Sequence, residues 1–106
     1  MTNVYLADYI TSIERDKAYE LVNMLLSAQP IKSGEKTGVI EGIELKLTYN
    51  RTKLKKEANL FIKINNEFCT AKYIQSKLNH YDESISNTMT AFILSNEEAI
   101  EKFIME

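Results

Sequence analysis

His80 is the only histidine and Cys69 the only cysteine of the chain, so acid–base or nucleophilic chemistry would have to be built around them. Imidazole titrates near neutral pH, which makes His80 the candidate general base or metal ligand beside Asp82 and Glu83. It stands in the polar run Asn79-His80-Tyr81-Asp82-Glu83 without a second histidine or a nucleophile motif, so a solvated turn residue is the better reading. Metal sites gather several nitrogen or sulfur ligands, and this chain offers one of each, so no metal ligand set is assigned. Cys69 lies in no recognisable motif, and an unmodified cysteine is most often a small core residue. The neighbouring acids Asp82-Glu83 and Glu97-Glu98 do not form catalytic pairs, because adjacent helical side chains diverge by about 100°. Gly34, Gly38 and Gly42 spell neither dinucleotide fingerprint nor P-loop, so no cofactor is expected by those routes. No catalytic residue is nominated, and the chain reads as a non-enzyme.

Two groups of side chains remain as candidate partner-binding residues. Lys53, Lys55 and Lys56, with Arg51 nearby, form a local positive cluster that also serves as a solvated turn guarding strand ends. Phe61, Lys63, Phe68 and Lys72 fall on one face of a proposed hairpin, where aromatics among lysines either stack on bases or fill a partner's pockets, or else lie under the N-terminal segment as a second small core. Tyr5, Tyr9 and Tyr19 could anchor an interface in the same way.

The elements that position these residues follow from periodicity. Val4, Leu6 and Ile10 alternate as along a strand, whereas Leu6, Tyr9, Ile10 and Ile13 have helical spacing; the helical reading is adopted. Thr11-Ser12-Ile13-Glu14 has the form of a capping box. From it Ala18, Leu21, Val22, Leu25 and Ala28 mark the apolar stripe of a helix ending near Gln29-Pro30. Residues 32 to 38 are polar and glycine-bearing, as in a loop. Alternation of Val39, Ile43, Leu45, Leu47 and Tyr49 with polar residues predicts a strand over 39–49, interrupted at Glu41.

Residues 50–57 read as a turn, and 58–64 and 67–74 as strands joined at Asn65-Asn66, since Asn tolerates the positive φ of a two-residue hairpin. The implied register sets Ile64 against Glu67, Ile62 against Cys69, Leu60 against Ala71 and Ala58 against Tyr73, which turns Cys69 into the core. The same segment also fits a helix through Ala71, Ile74 and Leu78. After a polar break at 79–84, the β-branched and aromatic run 88–94 predicts a fourth strand. Ser95 or Asn96 then caps a last helix with Ala99, Ile100, Phe103 and Ile104 as its stripe. The expected fold is α+β: a four-stranded antiparallel sheet with an N-terminal and a C-terminal helix on one face.

Composition sets the class. The 106 residues suit one domain over 1–106, with 44% hydrophobic and 26% charged residues in ordinary globular proportion. Such a chain buries roughly two-thirds of its unfolded surface, which leaves little room for a deep internal cavity. A net charge of −2 draws it to neither phosphate backbones nor anionic membranes as a whole. No apolar run approaches the roughly 20 residues of a membrane span, and the first residues lack a signal-peptide pattern. A reducing cytoplasm is expected, which makes the Asn50-Arg51-Thr52 sequon a chance match. Lysine supplies 11 of 13 basic residues, and Lys, Ile and Asn codons are A/T-rich, pointing to a low-GC bacterium or its phage.

The chain is similar in general character to phage-encoded inhibitors of bacterial defence systems, such as anti-CRISPR proteins. The resemblance lies in small size, acidity, lysine over arginine and lack of motifs, so it carries over no residue. The lack of reactive groups, together with the aromatic and charged patches, points to a non-catalytic protein-binding module that occludes a surface of a larger host protein, and neither cofactor nor membrane is expected. The runner-up is a single-stranded nucleic-acid accessory protein that stacks bases on Phe61 and Phe68 and holds phosphates with the lysines. A homodimer through an exposed strand edge is compatible with either.

Overall fold

The computed structural model of the chain describes residues 10–28, 33–51, 56–75 and 83–106. Its elements are helix α1 (Ser12–Ala28), strands β1 (Ser33–Ile40), β2 (Ile43–Arg51), β3 (Lys56–Ile64) and β4 (Glu67–Thr70), a 3-10 turn (Ala71–Gln75), and helices α2 (Glu83–Ser95) and α3 (Glu97–Met105). The strands form one antiparallel sheet in the order β1-β2-β3-β4, and the helices pack on it, so the fold is α+β. The expectations for residues 3–10 and for the turn around His80 lie outside the described residues, apart from Ile10.

Local rules set the start of α1 and the tight turns among the described residues. Helix α1 begins at the capping box: the Glu14 amide donates to Thr11 Oγ1 at 3.2 Å, while the Thr11 amide donates to Glu14 Oε1 at 2.9 Å. Asn65 and Asn66 both take positive φ, 51° and 69°, and close the β3–β4 hairpin with Ile64 opposite Glu67 and Ile62 opposite Cys69 as expected.

A second tight turn overturns the sequence reading. Glu41 and Gly42, with φ of 50° and 79°, split the proposed strand 39–49 into a hairpin, and the proposed loop 32–38 is strand β1. Polar side chains do not oppose a strand at a sheet edge, because its backbone bonds come from β2 and one row of side chains faces water. Gly38 has a packing reason: a Cβ there would stand 2.7 Å from the Phe103 ring.

Two further expectations are corrected. Residues 88–94 are helix α2, not a strand; the count of four strands is kept by β1 instead. Met89, Phe92, Ile93 and Asn96 are buried, a helical spacing. Burial of that stripe outweighs the β-propensity of its residues, which spans only about 1 kcal/mol. The buried Thr90 hydroxyl donates to the Ser86 carbonyl one turn back at 2.9 Å, so it is satisfied inside the helix. The strand expected over 67–74 ends at Thr70, and the 3-10 turn replaces the pairs of Leu60 with Ala71 and of Ala58 with Tyr73.

Alternation then sorts the sheet into two faces. Opposed pairs point to the same side, so Leu45 with Ile62 and Leu47 with Leu60 form the middle of the inner face, each 0–1% exposed. Ala18, Val22 and Leu25 of α1, Met89, Phe92 and Ile93 of α2, and Ile100 and Ile104 of α3 complete the core. Ala28, assigned to the α1 stripe, is instead exposed at the helix end. Arg15 of α1 donates to the Asn87 side-chain oxygen of α2 at 2.6 Å, tying the helices beside the core. Asn96 stands at the α3 N-cap position but does not cap it; its side chain donates back to the Phe92 carbonyl at 2.9 Å.

Two outcomes follow for stability. Gly38→Ala should destabilise the fold by about 1–3 kcal/mol through the Phe103 ring, and adding Phe103→Leu should return part of it, measured as coupling in urea unfolding. The Thr11 hydrogen bonds hold the Glu14 carboxyl below its ordinary value of 4.5. A depressed folded-state value gives stability that is present above that ordinary value and is lost as pH falls through the lower one. Glu14→Gln should therefore flatten the acid limb of a stability–pH profile while leaving its shape unchanged at neutral pH.

Candidate partner-binding face

The face of the sheet turned away from the helices carries two cross-strand ladders. Val39, Glu44, Lys63 and Phe68 lie side by side across all four strands, and Thr37, Lys46, Phe61 and Thr70 form the row beside them. The parity that places Leu45 and Ile62 in the core is what sends these residues outward. Val39 is 65% and Phe68 39% exposed, and Phe61 is half-buried between them and the rest of the row.

The charges on this face are organised around Phe68. Lys46 Nζ sits 5.8 Å and Lys63 Nζ 5.5 Å from the centre of its ring, within cation–π range. Lys63 is also paired with Glu44 at 3.1 Å, its cross-strand neighbour, and Lys46 with Glu35 at 3.6 Å. Both ammonium groups are thus engaged by a carboxylate and by the aromatic ring together. The Thr70 hydroxyl is buried and has no hydrogen-bond partner among the described residues.

The structure brings Phe61, Lys63 and Phe68 together as the sequence implied, but not Lys72. That lysine is exposed on the 3-10 turn and borders a cleft of about 140 Å³ between α1 and β3, beside Tyr19, because β4 stops two residues earlier. Lys53 and Lys55 lie outside the described residues, as do Tyr5 and Tyr9, and Lys56 begins β3 paired with Arg51. Cys69 is 1% exposed, so the thiol belongs to the core. Glu35, Val39, Glu44 and Lys46 were missed. The alternation of Glu44 and Lys46 with Ile43, Leu45 and Leu47 did mark them as outward, but the β2–β3 register and the existence of β1 were needed to set them beside Lys63 and Phe68.

Among the described residues no three His, Cys, Asp or Glu side chains converge as a metal site, and no helix is long and apolar enough to cross a membrane. The chain matches no protein-family model, no curated protein and no solved structure. Its surface chemistry therefore carries the functional reading.

The ion pairs are solvent-exposed, so they organise the face more than they hold the fold. Lys63→Met should change the unfolding free energy by at most about 1 kcal/mol in urea titrations.

Proposed function

We propose that the chain is a non-catalytic protein-binding module whose outer sheet face docks on a larger partner and occludes part of that partner's surface. The observation that carries this reading is the Phe68 cluster: a half-exposed aromatic ring flanked by two lysines, each already paired with a glutamate. An aromatic anchor inside a mixed-charge rim suits a protein interface, where tyrosine, tryptophan, phenylalanine and arginine concentrate and charge patterning selects the partner. Base stacking and phosphate binding are less well supplied, since both ring-side cations are neutralised and Lys72 is directed to another region. The general character shared with phage-encoded inhibitors of bacterial defence supports a host defence protein in the cytoplasm as the partner.

Phe68→Asp in a folded chain is the decisive variant, because Phe68 is exposed enough to be replaced without emptying the core. Affinity capture from bacterial lysate should retain a stoichiometric partner with the wild-type chain and lose it with Phe68→Asp. The reading is overturned if Phe68→Asp keeps the partner, or if single-stranded oligonucleotide binds in a salt-dependent way that Phe68→Asp abolishes.

A further inference from the structure

Strand β1 is a sheet edge, and helix α3 packs beside it through Phe103, which meets Gly38 and Lys36. The turn at Glu41-Gly42 makes Ile40 and Ile43 a hydrogen-bonded pair, so alternation directs the backbone groups of Ile40, Gly38 and Lys36 to β2. The N–H and C=O groups of Val39, Thr37 and Glu35 consequently point away from the sheet, and none meets another strand among the described residues. Beside this edge runs a trough of about 340 Å³, walled on its other side by Ala99, Lys102, Phe103 and Glu106. Ala99, Lys102 and Phe103 recur at helical spacing as one stripe of α3, and the C-cap residue Glu106 continues it.

From this we infer that the β1–α3 trough is a peptide-binding site that accepts an extended segment of another protein as a fifth strand. The backbone groups of Glu35, Thr37 and Val39 supply the ladder, and the α3 stripe supplies the side-chain selection. Charge chooses the segment. Lys36 and Lys102 both line the trough, and neither has a carboxylate partner among the described residues; Lys36 rests on Phe103 at 5.1 Å. The occupant carries Asp or Glu at a trough-facing position near these lysines, with small or apolar residues two positions to either side against Ala99, Phe103 and Ile40. This site borders the outer face along the side chains of Glu35, Thr37 and Val39, but it uses neither Phe68 nor the lysines around it.

The test selects a display library of random linear peptides on the immobilised full chain and measures enriched synthetic peptides by fluorescence anisotropy. Expected are peptides with an acidic residue flanked at alternate positions by apolar ones. Thr37→Pro, which removes one outward donor, and the double variant Lys36→Glu/Lys102→Glu should each weaken binding at least about tenfold, while Phe68→Asp leaves it unchanged. Peptide should also slow amide hydrogen exchange at Glu35, Thr37 and Val39 of the wild-type chain, a readout that needs no variant to fold. The site is refuted if no peptide is enriched, if enriched peptides leave exchange at these three amides unaltered, or if sedimentation equilibrium shows the chain already dimerised through β1 without peptide.

Discussion

A sheet with one apolar face must be covered on that face, and every other feature of this chain is arranged around that requirement. Leu45, Leu47, Leu60 and Ile62 occupy the centre of β2 and β3 and are sealed from water. Burying each such side chain is worth about 1.5–3 kcal/mol, and all four benefit only if a helical layer closes over them. Three helices share that task, with Phe92 of α2 fully buried and Ile100 and Ile104 of α3 meeting the same core. The two tight turns matter because parity has a period of two: a one-residue slip at Glu41-Gly42 or Asn65-Asn66 would exchange the two faces of the strand beyond it.

The outer face is the other product of the same alternation. Once Leu45 and Ile62 face the helices, Glu44, Lys46, Phe61 and Lys63 have no choice but to face outward. Their mutual arrangement is electrostatic: carboxylate, ammonium and aromatic ring share neighbouring positions, so each lysine is held by two attractions at once. A face of this kind keeps Lys46 and Lys63 paired with carboxylates while leaving Phe68 and Val39 accessible.

The edges are treated unequally. At one side β4 is only four residues long and gives way to a 3-10 turn packed toward α1, so little of that edge is free. At the other, β1 runs for eight residues, its outward backbone groups meet no other strand among the described residues, and α3 packs beside it. The close fit of Gly38 under Phe103 holds α3 against this strand.

Locally encoded features were legible in the residues themselves. The Thr11–Glu14 capping box, the Asn65-Asn66 turn, the alternation along Ile43 to Tyr49, the core position of Cys69 and the apolar stripe of α3 each depend on neighbours within a few positions, and periodicity exposes them. What tertiary structure decided depends on partners distant in the chain. Residues 33–40 are a strand because β2 supplies their hydrogen bonds, although their side chains resemble a loop. Residues 88–94 are helical because the sheet offers a stripe of contacts, although their composition favours extension. Lys72 leaves the Phe68 face because the chain curls into the core through Ala71 and Ile74, and the Glu35–Lys46 and Glu44–Lys63 pairs exist only once four strands are in register. Burial and long-range pairing outweigh local preference wherever the two disagree, because the free energy of covering the inner face exceeds the small differences among backbone propensities.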